Sequence, residues 1–139
     1  MPSEALDLPR ETDASGPRIA IVGPCGSGKT TLARMLTARG LDARQIVQEH
    51  SYVANMWQVI TRPDVLIFLD ASHAVCNRRK NLGWLPEEHA EQLRRLRHAR
   101  QHAALYILTD SLTPEEVMAR VWDQLSSKRL IPWPSTESP

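Results

Sequence analysis

Residues that could bind a phosphate group are concentrated in one short run near the start of the chain. The run consists of Gly23, Pro24, Cys25, Gly26, Ser27, Gly28, Lys29 and Thr30. It fits the pattern G-x-x-x-x-G-K-[ST], in which backbone N–H groups cradle phosphates, the lysine reaches the β- and γ-phosphates and the last hydroxyl ligates Mg²⁺. We therefore predict that this run and Thr31 bind a nucleoside triphosphate, with Lys29 as the cation and Thr30 as a magnesium ligand.

The segments on either side of this run have the character that such a loop requires. Arg18–Val22 is a short apolar segment typical of a buried strand, and Lys29–Arg39 has a helical pattern closed by Gly40. A helix that begins at the loop presents its positive N-terminal end to a bound anion. The alternative is a glycine-rich turn with an incidental lysine, which rarely occurs between such a strand and such a helix.

Two acidic residues follow predicted strands and could hold the waters of a magnesium ion. Glu49 comes shortly after a strand predicted near Ala43–Val47, and Asp70 follows the apolar run Val65–Leu69. Ligands of open α/β sheets bind at the carboxyl ends of the strands, and Mg²⁺ prefers oxygen ligands. Each acid also has a simpler interpretation, Glu49 as a solvated strand end and Asp70 as a turn residue or helix N-cap.

The composition is that of an ordinary globular domain. The chain has 139 residues, 42% apolar and 24% charged, with a formal net charge of +1. This length suits one domain, and the near-neutral charge gives no reason to expect a nucleic-acid partner. No apolar run approaches the length of a membrane span, and Cys25 and Cys76 lack metal-ligand spacing. We therefore expect a cytoplasmic protein with reduced thiols and no membrane partner.

The pattern of strands and helices divides the chain into three parts. We expect a flexible leader over residues 1–16, a single domain over 17–126 and an irregular proline-rich tail over 127–139. Four strands, the last at Leu105–Leu108, alternate with helices, and the final helix opens at Thr113 with a capping box. The other helices are predicted around Ala54–Thr61, His73–Asn81 and Pro86–His102. The predicted fold class is α/β, with three α/β/α layers around a parallel sheet of about four strands.

On these residues the chain resembles the small P-loop kinases of the thymidylate and deoxynucleoside kinase-like group. Besides the phosphate loop, three segments carry the resemblance. They are Pro63–Ser72, similar to the strand before the lid in those kinases, Cys76–Arg79, where they place lid arginines, and Ala103–Val117, similar to their last strand, T-D loop and P-E-E-V helix. The matching segments span residues 18–125. The resemblance implies the P-loop NTPase fold, with ATP and Mg²⁺ as ligands.

The resemblance also implies roles for the two acids. The run Glu49-His50-Ser51 is similar to an acidic-basic-Ser motif of deoxynucleoside kinases, in which the acid is a general base or a magnesium partner. Asp70 ends its strand as the acid of a Walker B motif does. This implies Glu49 as the base and Asp70 as a residue that holds the waters of the magnesium ion. The opposite allocation of the two acids stays open.

In the same kinases, cations of the lid stabilise charge on the transferring phosphoryl group, which implies this role for Arg78 and Arg79. The T-D loop passes beside the adenine ring, which implies a position near the base for Asp110 or its neighbours. A solvated helix end and an ordinary turn are the alternative interpretations. A GTPase switch is disfavoured because the chain has no N-K-x-D sequence and Asp70 is not followed by x-x-G. We expect ATP rather than GTP as the nucleotide.

The chain departs from that group in its acceptor half. Members of the group are longer and have five parallel strands in the order 2-3-1-4-5. Only one strand fits here between the loop helix and Val65–Leu69, and the helical insertion that binds the acceptor is missing. We expect an ATP-dependent kinase, or an ATPase derived from one, acting on a small-molecule or nucleotide acceptor. The alternatives are a nucleotide-binding regulatory or assembly module with little turnover, and a subunit of an oligomer whose acceptor site another chain completes.

Overall fold

A parallel sheet of four strands forms the centre of the fold. The computed structural model describes residues 17–81 and 83–129, and its strands are β1 (Arg18–Val22), β2 (Asp42–Gln45), β3 (Val65–Asp70) and β4 (Leu105–Leu108). They lie in the order β2-β1-β3-β4, and each neighbouring pair is parallel. This is the order 2-3-1-4-5 without its first edge strand, so the reduced sheet predicted from the sequence is confirmed.

Helices connect the strands and cover both faces of the sheet. In the described residues they are α1 (Lys29–Ala38), α2 (Met56–Thr61), α3 (His73–Lys80), α4 (Pro86–Arg95), α5 (Arg97–His102) and α6 (Pro114–Ser127). One turn of 3₁₀ helix, Gln48–His50, follows β2. None of the helices in this part of the chain combines the length and the apolar character needed to cross a membrane.

The central strands are buried on both faces because they are apolar at successive positions. Ile19 and Ile21 of β1 belong to a core formed with leucines of α1 and apolar residues of α6. Ala20 and Val22 belong to a second core on the opposite face, which includes Trp57 of α2 and Ala99 of α5. Since successive side chains of a strand point to opposite faces, an uninterrupted apolar run is what a doubly covered strand requires. The three-layer α/β/α architecture is confirmed.

The last helix begins with the capping box that the sequence predicts. The Thr113 hydroxyl accepts a hydrogen bond from the Glu116 N–H at 3.1 Å, and the Glu116 carboxylate accepts one from the Thr113 N–H at 2.8 Å. Both N–H groups are thereby satisfied at the helix end. The helix continues to Ser127, one residue into the predicted tail. Residues 1–16 and 130–139 lie outside the described residues, so the leader and the rest of the tail stay predictions.

The single helix predicted over Pro86–His102 is instead two helices, and the break lies at Leu96. The Leu96 N–H is shared between the carbonyl oxygens of Gln92 and Leu93, each at 3.1 Å, which tightens the last turn of α4. The Leu96 side chain is fully buried in the core beneath α5. The break therefore lets α5 pack on β3 while α4 packs on the 3₁₀ turn after β2.

The predicted strand at Ala43–Val47 also ends earlier than expected. The Ile46 N–H still donates to the Ile21 carbonyl at 2.9 Å, but Val47 has a ψ of 51°, which leaves the extended conformation and starts the 3₁₀ turn. The following helix α2 begins at Met56, two residues later than its predicted start. The effect is to place a short turn, rather than the end of a strand, beside the phosphate loop.

Candidate functional site

The loop between β1 and α1 passes close to the end of β3 before it opens the helix. At Gly23 an added Cβ atom would come within 2.0 Å of the Leu69 carbonyl oxygen, so only glycine allows this approach. Gly28 precedes α1 with a φ of 106°, in the left-handed region that favours glycine. Two constrained glycines of the sequence pattern are therefore explained, one by packing and one by backbone conformation.

The lysine of the loop is buried, and all three of its N–H donors are engaged. The Lys29 Nζ donates to the carbonyl oxygens of Gly23 at 2.8 Å and Pro24 at 3.2 Å. Its third partner is the Glu49 Oε2 at 2.9 Å. The side chains of the pair are only 5% and 2% exposed. The structure therefore joins two residues that the sequence analysis singled out separately.

Glu49 reaches this position from the 3₁₀ turn that follows β2. Because β1 and β2 are parallel neighbours, their carboxyl ends lie at the same edge of the sheet, and the turn faces the loop. The His50 Nε2 lies 3.8 Å from the same carboxylate oxygen. The Arg95 side chain of α4 donates to the Glu49 backbone carbonyl at 3.4 Å, which fixes the turn from the other side.

Two buried polar atoms at the loop have no hydrogen-bond partner among the described residues. They are the Oε1 of Glu49 and the Oγ of Ser27. Leaving a buried donor or acceptor unpaired costs about 1–3 kcal/mol, and more for a charged group. A site that carries two such atoms is therefore suited to a ligand that supplies the missing hydrogen bonds.

A cavity of about 380 Å³ opens above the loop. The loop and the start of α1, including Thr30, form one wall, Glu49 and His50 form a second, and Arg79 and Lys80 of α3 form a third. The cavity thus brings together three cationic side chains, those of Lys29, Arg79 and Lys80, and one carboxylate, that of Glu49. This charge balance suits a polyphosphate, which carries several negative charges.

A smaller cavity of about 150 Å³ adjoins the first and shares Gly28, Thr31 and Arg79 with it. Its remaining walls are largely apolar and come from α1, the loop after β4 and α6, with Leu112 and Val117 among them. A polar cavity joined to an apolar one suits a ligand with an anionic tail and a flat, less polar head. A nucleotide has this character.

Of the two predicted lid arginines, the structure brings one to the site. Arg79 lies between the two cavities and donates to the Gly26 carbonyl at 3.2 Å and to the Thr109 hydroxyl at 2.9 Å. It also donates to the Thr109 carbonyl. Arg78 is exposed and lines neither cavity. The neighbouring Lys80, which the sequence analysis did not assign to the site, lines the larger cavity instead.

Asp70 lines neither of the two cavities at the loop. Its Oδ1 accepts a hydrogen bond from the Ala71 N–H at 2.9 Å, its Oδ2 accepts one from the Tyr106 hydroxyl, and it lines a different cavity, beside α4 and α5. Asp110 accepts from the Ser72 N–H at 2.8 Å, so its side chain holds the start of α3. Its neighbour Thr109, rather than Asp110 itself, lines the smaller cavity.

The structure also shows one residue of the site, Gln92, that the sequence analysis missed, and a contact of Thr109, which it included only as a neighbour of Asp110. The Oε1 of Gln92, a buried residue of α4, accepts a hydrogen bond from the Cys25 N–H of the loop at 2.9 Å. The Thr109 hydroxyl lies within donating distance of the Ser27 carbonyl, at 3.1 Å. Thr109 belongs to the neighbours of Asp110 that the sequence analysis expected near the base. Gln92 could not have been found from the sequence, because 67 residues separate it from its partner.

The donor set fits a magnesium ion that is held mainly by phosphates and water. Among the described residues no group of three or more His, Cys, Asp or Glu side chains could hold a metal by itself. Thr30 offers a hydroxyl on the cavity wall, and Glu49 offers an unpartnered carboxylate oxygen. Mg²⁺ keeps several waters and takes one or two protein oxygens beside substrate phosphates, so the Thr30 hydroxyl is sufficient by itself and leaves the Glu49 carboxylate available for another role.

One thiol lies behind the loop in a buried position. Burial raises the pKa of Cys76 to about 11, so this thiol is neutral at physiological pH. A Cβ atom at Gly26 would lie 3.0 Å from the Cys76 backbone. Cys76 therefore serves as a packing residue that supports the loop from α3.

A protein-family model described as an AAA domain matches residues 19–131 of the chain. The match begins in β1, contains the whole phosphate loop and continues past α6. No curated protein matches the chain. The loop, its buried lysine and the two adjoining cavities all lie within the matched residues.

Proposed function

The chain belongs to the AAA-domain family of P-loop nucleotide-binding proteins, and from this premise we propose that it transfers the γ-phosphoryl group of ATP to a small-molecule or nucleotide acceptor. The observation that carries the proposal is the buried pair of Lys29 and Glu49, in which one carboxylate oxygen has no partner among the described residues and Glu49 itself lines the cavity. Simple nucleotide binding needs the lysine and the loop. A buried acid at this point adds a group that can accept a proton.

In this proposal Glu49 acts as the general base. An acceptor hydroxyl gives its proton to the free Glu49 Oε1 while its oxygen forms a bond to the γ-phosphorus. The bond between that phosphorus and the bridging oxygen breaks, and ADP leaves. Lys29, held 2.9 Å from the same carboxylate, provides positive charge for the phosphoryl oxygens.

The remaining residues position the nucleotide. Thr30 is the proposed magnesium ligand, and the ion, when bound, neutralises phosphate charge. Arg79 is the proposed lid cation, because it already bridges the loop at Gly26 and the smaller cavity at Thr109. The smaller cavity, lined by Leu112 and Val117, is the proposed site of the base.

The second candidate function is a nucleotide-binding module with little turnover. The observation that favours it is the short connection between β2 and β3, which contains only the 3₁₀ turn and the six-residue helix α2 in place of an acceptor-binding insertion. A partner chain that covers this side would complete the site. The experiments below separate the two functions.

Nucleotide binding is tested by thermal denaturation with Mg²⁺ and ATP. We expect saturable stabilisation of the wild-type chain, because a ligand that binds only the folded state raises its stability. Lys29→Met should abolish the ligand-dependent rise, and the matched surface variant Lys128→Met should retain it. A rise in Lys29→Met equal to that of the wild type would contradict the assignment of the loop.

Phosphoryl transfer is tested with γ-labelled ATP against a panel of nucleosides, nucleotides and small hydroxyl compounds. Glu49→Gln should lower kcat by about 10²- to 10⁴-fold and leave the ATP-dependent thermal shift in place. If Asp70→Asn shows this loss and Glu49→Gln does not, the base has been assigned to the wrong acid. ATP binding without turnover against every acceptor would favour the binding module.

A further inference from the structure

A row of arginines lines a second cavity beside α4 and α5. Arg94 lies in the last turn of α4, and Arg97 and Arg100 follow in α5, at intervals of three residues. Together with Phe68 and Asp70 they line a cavity of about 490 Å³, here called the arginine groove. The arginine groove shares no lining residue with either cavity at the phosphate loop.

One arginine of the groove is held in position by an aromatic ring. The guanidinium carbon of Arg100 lies 3.9 Å from the centre of the Tyr106 ring, a cation–π contact. The Tyr106 hydroxyl donates to Asp70, and its ring stacks on Phe68 with centroids 5.8 Å apart. The ring is therefore fixed at both its edge and its face. A guanidinium stacked in this way keeps its N–H edges free for an anion.

The charges of the groove favour an anionic ligand. Both oxygens of Asp70 already accept hydrogen bonds, from the Ala71 N–H and the Tyr106 hydroxyl. Arg94 pairs with Glu91 on the exposed side of α4. No hydrogen bond or ion pair joins the Arg97 side chain to any other described residue. Three guanidinium groups thus surround a cavity in which the one carboxylate is already hydrogen-bonded.

We propose that the arginine groove binds a small phosphorylated anion, at a site separate from the phosphate loop. Guanidinium groups recognise phosphate oxygens with paired hydrogen bonds, and three of them within two successive turns of helix can share one small ligand. The site adjoins the loop through α4, because Gln92 accepts from the Cys25 N–H and Arg95 donates to the Glu49 carbonyl. A ligand in the groove therefore contacts the helix that holds both the loop and the acid.

The test uses inorganic pyrophosphate as the probe in a full-length background whose phosphate loop has lost its lysine. Lys29→Met/Glu49→Gln removes both buried charges of the loop, and isothermal titration calorimetry at low salt then reports on the groove. We expect saturable binding that Arg97→Gln weakens about tenfold or more, since a hydrogen bond to a charged group contributes about 1.5–3 kcal/mol. The matched control Arg120→Gln, an exposed arginine of α6, should bind as tightly as the background.

Three outcomes would overturn the proposal. One is the absence of pyrophosphate binding in the background at low-millimolar concentrations. Another is equal weakening by Arg97→Gln and Arg120→Gln, which would show that net charge alone attracts the probe. The third is binding of a single-stranded oligonucleotide in place of pyrophosphate. Should the background variant fail to fold, the same titration of the wild-type chain must show a second binding step that Arg97→Gln removes.

Discussion

The two residues of the buried ion pair are expected to differ in how much stability they contribute. Lys29 has three acceptors, whereas the Glu49 side chain has one close donor and one oxygen with no partner. Lys29→Met removes that donor and leaves a buried carboxylate uncompensated, which costs about 3–5 kcal/mol of unfolding free energy. Glu49→Gln leaves Lys29 with two carbonyl partners, so its expected cost is only about 1–2 kcal/mol.

The measurement is urea denaturation of the nucleotide-free variants at pH 7, followed by circular dichroism. Lys29→Met/Glu49→Gln should be more stable than Lys29→Met alone, because the second substitution removes the unpaired buried charge. The control is Lys80→Met, which removes an exposed lysine from the wall of the same cavity. Its effect should stay within about 0.5 kcal/mol.

Two results would refute this reasoning. If Glu49→Gln destabilises the protein as much as Lys29→Met, the difference in the number of hydrogen-bond partners between Lys29 and Glu49 does not determine their contributions to the unfolding free energy. If the two effects simply add in the double variant, the residues are not coupled, contrary to their 2.9 Å separation.

Two further predictions concern groups with shifted pKa values. Burial raises the pKa of Cys76 to about 11, and the thiolate is the reactive form of a cysteine. A thiol reagent at about pH 8 should therefore modify half-buried Cys25 first and Cys76 only after denaturation. Equal rates of modification at the two cysteines would contradict this. Burial and the hydrogen bond to Asp70 raise the pKa of Tyr106 from 10 to about 12. The stability that the protonated Tyr106 hydroxyl contributes is therefore complete below pH 10 and is lost as the pH rises through 12. Urea denaturation should show a smaller loss of unfolding free energy over this pH range in Tyr106→Phe than in the wild type.

Much of the fold could be predicted because the relevant signals are local. The apolar run of β3 needed a sheet covered on both faces, and the T-x-x-E box with Pro114 marked the start of α6. The break at Leu96 could not be predicted, because the arginine- and histidine-rich sequence on either side continues to favour a helix. It depends on how α5 packs against β3, which is a contact between distant segments.

The candidate site divides in the same way. The loop from Gly23 to Thr30 is recognisable from its residues, since each constrained position follows from backbone geometry or phosphate chemistry. The residue pattern alone left the choice between Glu49 and Asp70 open, because both acids follow strands, and only the resemblance favoured Glu49 as the base. Alternation along β3 places Asp70 on the same face as Phe68, towards Tyr106, whereas the turn after β2 directs Glu49 to Lys29.

The amino-acid sequence alone determined the α/β class, the position of the phosphate loop and the helix that follows it, because these depend on interactions between residues close in the chain. Only the tertiary structure decided which acid meets the lysine, which arginine lies between the cavities and that Gln92 supports the loop. These pairs are 20, 53 and 67 residues apart. Their contacts depend on strand order and helix packing, which no local pattern encodes.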